Sequence, residues 1–262
     1  MRRAELHRSK RRKRRKRRPV LVALVAFCCS SAWAQDGDWA TLNPTFYWHG
    51  STANDSHWPA LVGEGVLTNR GGVSVPGKPT FAENTNQYFH GGVIVQLSDS
   101  FVWLTEAKIT GTTNANRWVV FNGDITPVVN NEIALNTTTL RGFNFFIRDS
   151  ASTTINCNGT NIIASNATAI VACRWMADTK VAALFVNGAK YNEITNTLML
   201  ATDTEDDFAL GVRKQNGAMT QPFGGVINRF AAIKGAHGDI RARFNDGELL
   251  RITNARDVEA NR

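Results

Sequence analysis

Short runs of alternating apolar and polar residues fill most of the chain after position 35, and polar connectors separate them. Alternate side chains of a β-strand point to opposite faces of a sheet, so a period of two predicts strands rather than helices. Short strands at regular spacing are typical of a two-sheet β-sandwich. The predicted strands are residues 45–49, 92–97, 101–110, 117–123, 132–137, 143–149, 169–176, 181–187 and 207–212.

The run VAALFV at 181–186 is apolar at every position, which predicts a central strand covered on both faces. Asn187-Gly188 then supplies the positive φ angles of a two-residue hairpin turn. Residues 177–180, ADTK, predict another turn before this strand. These turns predict three consecutive antiparallel strands.

The end of the chain predicts a strand followed by a helical turn. Gly224-Gly225 precedes alternating apolar residues and allows a bulge or a close sheet contact. Asp239 suits the free amides at a helix start. Ile240 and Phe244 are four residues apart, so they share one helical face and would pack on the sandwich.

Residues 1–34 have the layout of a secretion signal. A strongly basic segment to Arg18 is followed by an apolar run from Val20 to Cys29 and by Ala32-Trp33-Ala34. This pattern predicts export and cleavage near Ala34, which leaves residues 35–262 as one secreted or periplasmic domain. The alternative reading of the basic segment is a nuclear-localisation or RNA-binding arm.

The positive charge is confined to this segment. The chain has a formal net charge of +8, but twelve of its 30 Lys and Arg residues lie between Arg2 and Arg18. The remaining 18 basic and 21 acidic residues give a net charge of −3. We therefore expect no nucleic-acid binding by residues 35–262. The apolar run is too short for a transmembrane anchor.

Cleavage near Ala34 would leave only Cys157 and Cys173 in an oxidising compartment, where disulfides persist. Both residues lie in strand-like runs, so a disulfide across a hairpin or between neighbouring strands is predicted. The alternative is two separate buried thiols that pack as small hydrophobic groups.

Several segments together resemble the laminin-G-like, concanavalin-A-like jelly-roll superfamily. They are FYWHGSTANDSHWPALVGEGV (46–66), FVWLTEAKIT (101–110), RWMADTKVAALFVNG (174–188), DFALGVRKQNGAMTQPFGGVINRFAAI (207–233) and GDIRARFN (238–245). The resemblance implies a jelly roll with a short C-terminal helical turn. It also implies binding of sugars or other extracellular ligands, often with calcium.

Enzymes of this superfamily are the main alternative function. Its retaining glycoside hydrolases resemble one another through two Glu residues flanking an Asp on one strand, and the sequence has no such run. Glu106 is the nearest single carboxylate, and we expect it to face solvent. His90 is expected to have a turn or edge role rather than a catalytic one.

Candidate binding residues follow from local composition. Trp48, His57 and Trp58 form the best aromatic cluster, with Trp58 in a predicted loop where its ring would be available for stacking on a sugar. Asp203, Asp206 and Asp207 in DTEDD provide hard oxygen ligands for calcium. The alternative for this run is a solvated charged turn.

The combined interpretation is an exported, non-catalytic recognition or adhesion module that binds a glycan or another cell-envelope surface. A polysaccharide hydrolase or lyase on the same scaffold is one alternative. A structural jelly roll in a surface or virion-like assembly is another, because the fold alone does not exclude it.

Overall fold

The computed structural model describes residues 39–75, 77–83, 85–92, 94–110, 117–123, 132–139, 142–159, 166–198, 207–216 and 218–254. All of them belong to one compact unit, Gln35–Arg262. The predicted secretion signal lies outside the described residues. The described residues form an all-β fold of two antiparallel sheets, with two short helices at the C-terminal end, which confirms the predicted sandwich.

Strands are numbered along the chain. The first sheet contains β1 (Phe46–His49), β4 (Thr80–Phe81), β6 (Ser100–Ile109), β11 (Thr168–Met176), β12 (Val181–Val186), β13 (Ala189–Thr195) and β17 (Gly225–Gly235). Its order is β1-β17-β6-β11-β12-β13, and β4 also pairs with β17. The predicted run of three antiparallel strands is confirmed as β11, β12 and β13.

The second sheet contains β2 (His57–Pro59), β3 (Val66–Arg70), β5 (Tyr88–Gly91), β7 (Arg117–Gly123), β8 (Glu132–Thr137), β9 (Phe143–Arg148), β10 (Thr154–Gly159) and β14 (Phe208–Leu210). Its order is β10-β9-β8-β7-β14-β5-β3-β2. A separate two-stranded ribbon, β15 (Arg213–Gln215) with β16 (Ala218–Thr220), follows β14. We call these the seven-stranded sheet, the eight-stranded sheet and the ribbon.

Aromatic side chains from both sheets fill the space between them. Trp48 of β1 stacks on Phe208 of β14 at a centroid distance of 6.0 Å and on Phe230 of β17 at 5.9 Å. Trp103 of β6 meets Phe230 edge-on at 5.9 Å. Because these rings come from both layers, their burial holds the two sheets together.

One predicted strand is wrong. Residues 92–97 do not form a strand where they are described, although Ile94, Val95 and Leu97 are buried. The side chain of Asn122 replaces a neighbouring strand: its Nδ2 donates to the Val95 carbonyl at 3.0 Å, and its Oδ1 accepts from Ile94 N at 3.3 Å. The Trp175 indole donates to the Leu97 carbonyl at 2.9 Å. Side chains thus satisfy backbone groups that a sheet would otherwise pair.

The outer face of the seven-stranded sheet is covered by helices α1 (His237–Arg243) and α2 (Asp246–Asn254). Ile240 and Phe244 are buried against this sheet, which confirms the predicted packing of the helical turn. Helix α2 was not among the predicted elements, and it adds buried Leu249 and Ile252 to the same cluster. No helix in the described part of the chain has the length and apolar character to cross a membrane.

The predicted disulfide is wrong. Cys157 and Cys173 are free thiols, and they lie on β10 and β11, which belong to different sheets rather than to one hairpin or to neighbouring strands. The Cys157 Sγ donates to the Ala182 carbonyl at 3.3 Å. Burial raises the pKa of Cys157 to about 12, so it stays a neutral thiol. The alternative of two buried thiols is what the structure has.

Arg174 of β11 connects the helices to the seven-stranded sheet. Its guanidinium donates to the carbonyl of Phe244 at 3.1 Å and to the carboxylate of Glu193 at 3.1 Å. It also lies 2.8 Å from the carboxylate of Asp246, the first residue of α2. Arg174 is buried, so its contacts are less screened by solvent than those of a surface ion pair.

We expect Arg174→Ala to lower the free energy of unfolding by about 2–3 kcal/mol, because the Phe244 carbonyl loses a charged donor and the sheet loses packing. Arg251→Ala is the matched control, since Arg251 is exposed and pairs only within α2, and should cost less than about 0.5 kcal/mol. Urea unfolding followed by circular dichroism measures both. Equal values for the two variants would contradict an anchoring role for Arg174.

Candidate functional site

The outer face of the eight-stranded sheet carries charged, aromatic and carboxamide side chains on β7 to β10. Phe143, Phe145 and Ile147 of β9 point into the core, so Asn144, Phe146 and Arg148 point outward. The register places Glu132, Ala134 and Asn136 of β8 beside them. We call this surface the β7–β10 face, and it comprises Trp118, Phe121, Glu132, Ala134, Asn136, Asn144, Phe146, Arg148, Thr154, Asn156 and Asn158, with Arg213 of the ribbon above it.

Glu132 and Arg213 form a buried ion pair on this face. The Arg213 Nη2 donates to Oε2 of Glu132 at 3.1 Å, and Nε lies 3.0 Å from Oε1 without a hydrogen bond between these two atoms. Burial raises the pKa of the Glu132 carboxyl, while Arg213 and then Arg148 oppose that rise. The two guanidinium groups therefore favour the ionised form of the carboxyl, against the effect of burial.

Arg148 has a different environment. It pairs directly opposite Glu132 in the register of β8 and β9, and its guanidinium carbon lies 5.3 Å from the centroid of the Phe146 ring. No described carboxylate forms an ion pair with Arg148, and its Nε has no hydrogen-bond partner among the described residues. With two arginines around one carboxylate, this part of the face has an excess of positive charge.

An aromatic cluster forms the floor between these groups. Trp118 meets Phe121 and Phe146 edge-on, each at a centroid distance of 6.1 Å. The Arg213 guanidinium covers the Trp118 ring at 4.6 Å, a cation–π contact. The indole donates to Oε1 of Gln221 at 2.5 Å. These contacts hold Arg213 and the start of the ribbon over β7.

Asparagines form a carboxamide ladder across three strands next to this cluster. Asn144 of β9 donates through Nδ2 to Oδ1 of Asn136 on β8 at 3.1 Å and to Oδ1 of Asn156 on β10 at 3.3 Å. Asn136 and Asn144 are buried, whereas Asn156 and its neighbour Asn158 are exposed. The ladder therefore runs from the sheet interior to solvent at the β10 edge.

A second charged group lies farther along the same sheet. Oδ1 of Asp207 lies 3.0 Å from Nε2 of His90 on β5, and the Lys214 ammonium contacts Oδ2. Burial acts to raise the pKa of Asp207, but the hydrogen bonds from Lys214 and His90 outweigh it and lower the pKa. His90 thus lies on a strand near the rim of the face, with an acidic partner.

The prediction that Trp48, His57 and Trp58 form an exposed aromatic cluster is wrong. Trp48 and Trp58 are only 1% and 0% exposed, and the Trp58 indole donates to the His49 carbonyl at 2.8 Å. Trp58 lies on β2 rather than in a loop, and its ring packs edge-on against Phe89 inside the sandwich. His57 is exposed on the outer side of β2. The three residues therefore do not form one surface.

The expectation that Glu106 faces solvent is also wrong. Glu106 is 3% exposed and lies on the outer side of β6, where Oε1 accepts from Asn228 Nδ2 at 2.6 Å. Its Oε2 lies 2.6 Å from Nε of Arg229, whose guanidinium is stacked on Trp39 at 4.4 Å. This buried carboxylate holds the N-terminal turn of the domain against the seven-stranded sheet.

Of the predicted calcium ligands, Asp203 and Asp206 lie outside the described residues. Asp207 is described, and its two carboxylate oxygens contact His90 and Lys214. Among the described residues, no group of three or more His, Cys, Asp or Glu side chains has a geometry that could hold a metal ion. The calcium prediction has no support from the described part of the chain.

The β7–β10 face was not among the predicted sites, although the sequence contains a signal for it. In FNFFIRD, the alternate positions Asn144, Phe146 and Arg148 place an aromatic ring between a carboxamide and a guanidinium on the face opposite the core. The partners Glu132 and Arg213 are 81 residues apart in the chain. Only the register of β8 and the path of the ribbon bring them together.

Comparison with solved structures identifies a lectin-type β-sandwich fold. The Ruminococcus gnavus IT-sialidase CBM40 bound to α2,6-sialyllactose is 18% identical with a TM-score of 0.51, over 67% of this chain and 96% of that one. The same CBM40 bound to α2,3-sialyllactose is 19% identical with a TM-score of 0.50, over 59% and 82%.

A longer protein is also similar. The Trypanosoma rangeli sialidase in complex with sialic acid is 14% identical with a TM-score of 0.54, over 78% of this chain and 33% of that one. Neither the protein-family models nor the curated protein sequences match this chain. At such low identity, the structural likeness establishes the fold.

The lowered pKa of Asp207 predicts a pH-dependent contribution to stability. A carboxyl whose folded pKa is depressed stabilises the fold above its unfolded pKa of about 3.9, and this contribution is lost as the pH falls through the folded value. Asp207→Asn should therefore be less stable than the unaltered protein at pH 7, and the difference should shrink below about pH 4. Urea unfolding between pH 7 and pH 2.5 measures this; a difference that grows toward acid pH would contradict it.

Proposed function

We propose that the β7–β10 face binds a carbohydrate that carries a carboxylate, and that the protein is a non-catalytic recognition module. The proposal rests on the surroundings of the Arg148 guanidinium. Its guanidinium lies beside Phe146 and the buried Glu132–Arg213 pair, with no described carboxylate as its own partner. A guanidinium in this setting favours a planar anion, because it can donate two parallel hydrogen bonds to one carboxylate.

The neighbouring groups support a sugar rather than a simple anion. Sugar-binding surfaces combine aromatic rings with fixed polar groups that donate to and accept from hydroxyl groups. Phe146 is two residues from Arg148 along β9 and is only 8% exposed, and the carboxamide ladder begins at Asn144, four residues from Arg148. Structurally similar CBM40 domains bound to sialyllactose also favour an acidic sugar as ligand.

The carboxylates of the described face support binding without catalysis. Glycoside hydrolysis needs two carboxyl groups on either side of the scissile bond, one of them able to donate a proton. Glu132 is fully buried in its contact with Arg213, and Asp207 contacts His90 and Lys214. Both carboxylates are therefore engaged by cationic groups.

Two narrower parts of the proposal rest on the sequence. The motifs at 174–188 and 207–245 favour membership of the laminin-G-like, concanavalin-A-like group within the lectin-type sandwiches. The basic, apolar and Ala-x-Ala segments before Gln35 favour export, which would make the module an extracellular or periplasmic adhesion domain.

We expect Arg148→Ala to weaken binding of acidic glycans by about 10- to 100-fold, which corresponds to the loss of charge-assisted hydrogen bonds. A glycan array of acidic and neutral oligosaccharides identifies the ligand, and titration calorimetry gives Kd for both proteins. Arg213→Ala is unsuitable as a first test, because it would leave Glu132 buried without its partner.

Arg241→Ala is the matched control, since Arg241 is an exposed arginine of α1 on the other sheet. Its Kd should equal that of the unaltered protein. The same incubations are assayed for new reducing ends and for unsaturated sugars. Product release, or equal binding by Arg148→Ala and Arg241→Ala, would contradict the proposed function.

Export predicts that protein recovered from the periplasm or medium of cells expressing the full chain begins at Gln35. Ala34→Lys should block this cleavage, because the position before the cut requires a small residue. N-terminal sequencing and intact mass measure both outcomes. Uncleaved protein that stays inside the cell and binds RNA would instead favour the alternative basic-arm interpretation.

A further inference from the structure

We propose that the carboxamide ladder is a second subsite, which binds the sugar next to the acidic one. The ligand of the β7–β10 face is then an acidic oligosaccharide of at least two sugars. This inference rests on the proposed function and deepens it, because it assigns the minimum length of the ligand and the position of its acidic sugar.

The orientation of each amide in the ladder follows from its contacts. Asn136 donates through Nδ2 to the Thr137 carbonyl at 3.1 Å, so its Oδ1 is the atom that faces Asn144. Asn144 must therefore present Nδ2 to Asn136, and the same Nδ2 also reaches Oδ1 of Asn156. Contacts of this kind assign the O and N atoms of an amide, which look nearly identical otherwise.

This orientation leaves one group of the ladder for a ligand. Asn156 is exposed and uses Oδ1 for the ladder, so its Nδ2 can donate to a ligand. Asn144 is 7% exposed and its unpartnered Oδ1 is itself buried, so it lies beneath the surface that a ligand would touch. A sugar hydroxyl or the carbonyl oxygen of an acetamido group accepts a hydrogen bond, and it matches the Asn156 donor.

The distance along β9 separates the two subsites. Arg148 and Asn144 are four residues apart on one strand, which corresponds to about 13 Å. Phe146 lies between them on the same face, and Asn156 is directly opposite Phe146 in the register of β10. This span is longer than one pyranose ring, so a single sugar bound at Arg148 does not reach Asn144 or Asn158.

The charge distribution along the face predicts the orientation of the bound ligand. The Arg148 end has two guanidinium groups around one carboxylate, whereas the described ladder contains only neutral amides. The acidic sugar therefore binds over Arg148, and the following neutral sugar binds over Asn156 and Asn158. Each neutral hydrogen bond at the second subsite adds only modest affinity. These bonds therefore contribute more to specificity for one glycan than to electrostatic attraction of the ligand.

The test compares a short and a long ligand on the same protein. Free sialic acid with α2,3-sialyllactose, and galacturonic acid with trigalacturonate, are two pairs of an acidic monosaccharide and an oligosaccharide. Kd is measured by titration calorimetry for the unaltered protein, for Asn156→Ala/Asn158→Ala, and for Asn192→Ala as the matched control. Asn192 is a partly exposed asparagine on β13 of the other sheet.

In the pair that binds, we expect the oligosaccharide to bind about tenfold more tightly than the monosaccharide, the effect of one or two neutral hydrogen bonds. In Asn156→Ala/Asn158→Ala this ratio should fall below about threefold, while Kd for the monosaccharide stays unchanged. Asn192→Ala should keep the full ratio. The two altered residues are exposed strand positions, and circular dichroism confirms that the variant is folded.

The outcomes separate this inference from the proposed function. Equal Kd values for the short and long ligands, or a ratio that survives in Asn156→Ala/Asn158→Ala, would overturn the second subsite. In that case, the proposed function would still be supported if Arg148→Ala weakens binding of the acidic glycan. If neither member of either pair binds, and the glycan array shows no acidic ligand, the proposed function and the second subsite both fail.

Discussion

Aromatic packing between the two sheets is the constraint on which the rest of the structure depends. The ring of Trp48 stacks nearly parallel on Phe208 of one sheet and on Phe230 of the other, and these two rings also contact each other at a centroid distance of 5.3 Å. Because large apolar groups fill the interior, burial there supplies the main driving force for folding. Most charged side chains are consequently carried on the outer faces of the sheets.

The two outer faces differ in what covers them. Helices α1 and α2 bury apolar residues of the seven-stranded sheet, and the Glu106–Arg229 pair holds the turn at Trp39 on the same side. The outer face of the eight-stranded sheet instead carries arginines, asparagines and a cluster of buried aromatic rings, with the ribbon above β7. The groups that we propose bind a glycan therefore lie on one side of the sandwich.

Much of the fold could be predicted from periodicity. The bounds of β7 and β8 match the prediction to the residue, since each contains a short continuous apolar run with polar residues on both sides. The segment at 92–97 has the same apolar character but is not a strand, because Asn122 supplies its hydrogen bonds from a distant position. Trp58 precedes a proline and suggested a loop, yet tertiary packing placed its ring in the core.

By itself, the sequence determined the fold class, the run of three antiparallel strands from β11 to β13, and the helix that packs through Ile240 and Phe244. These features depend on local alternation and on turn residues, which act over a few positions. Only the tertiary structure decided which charged groups meet. Glu132 and Arg213 come together through strand register and the path of the ribbon, and Cys157 and Cys173 lie on different sheets because β10 and β11 join different sheets.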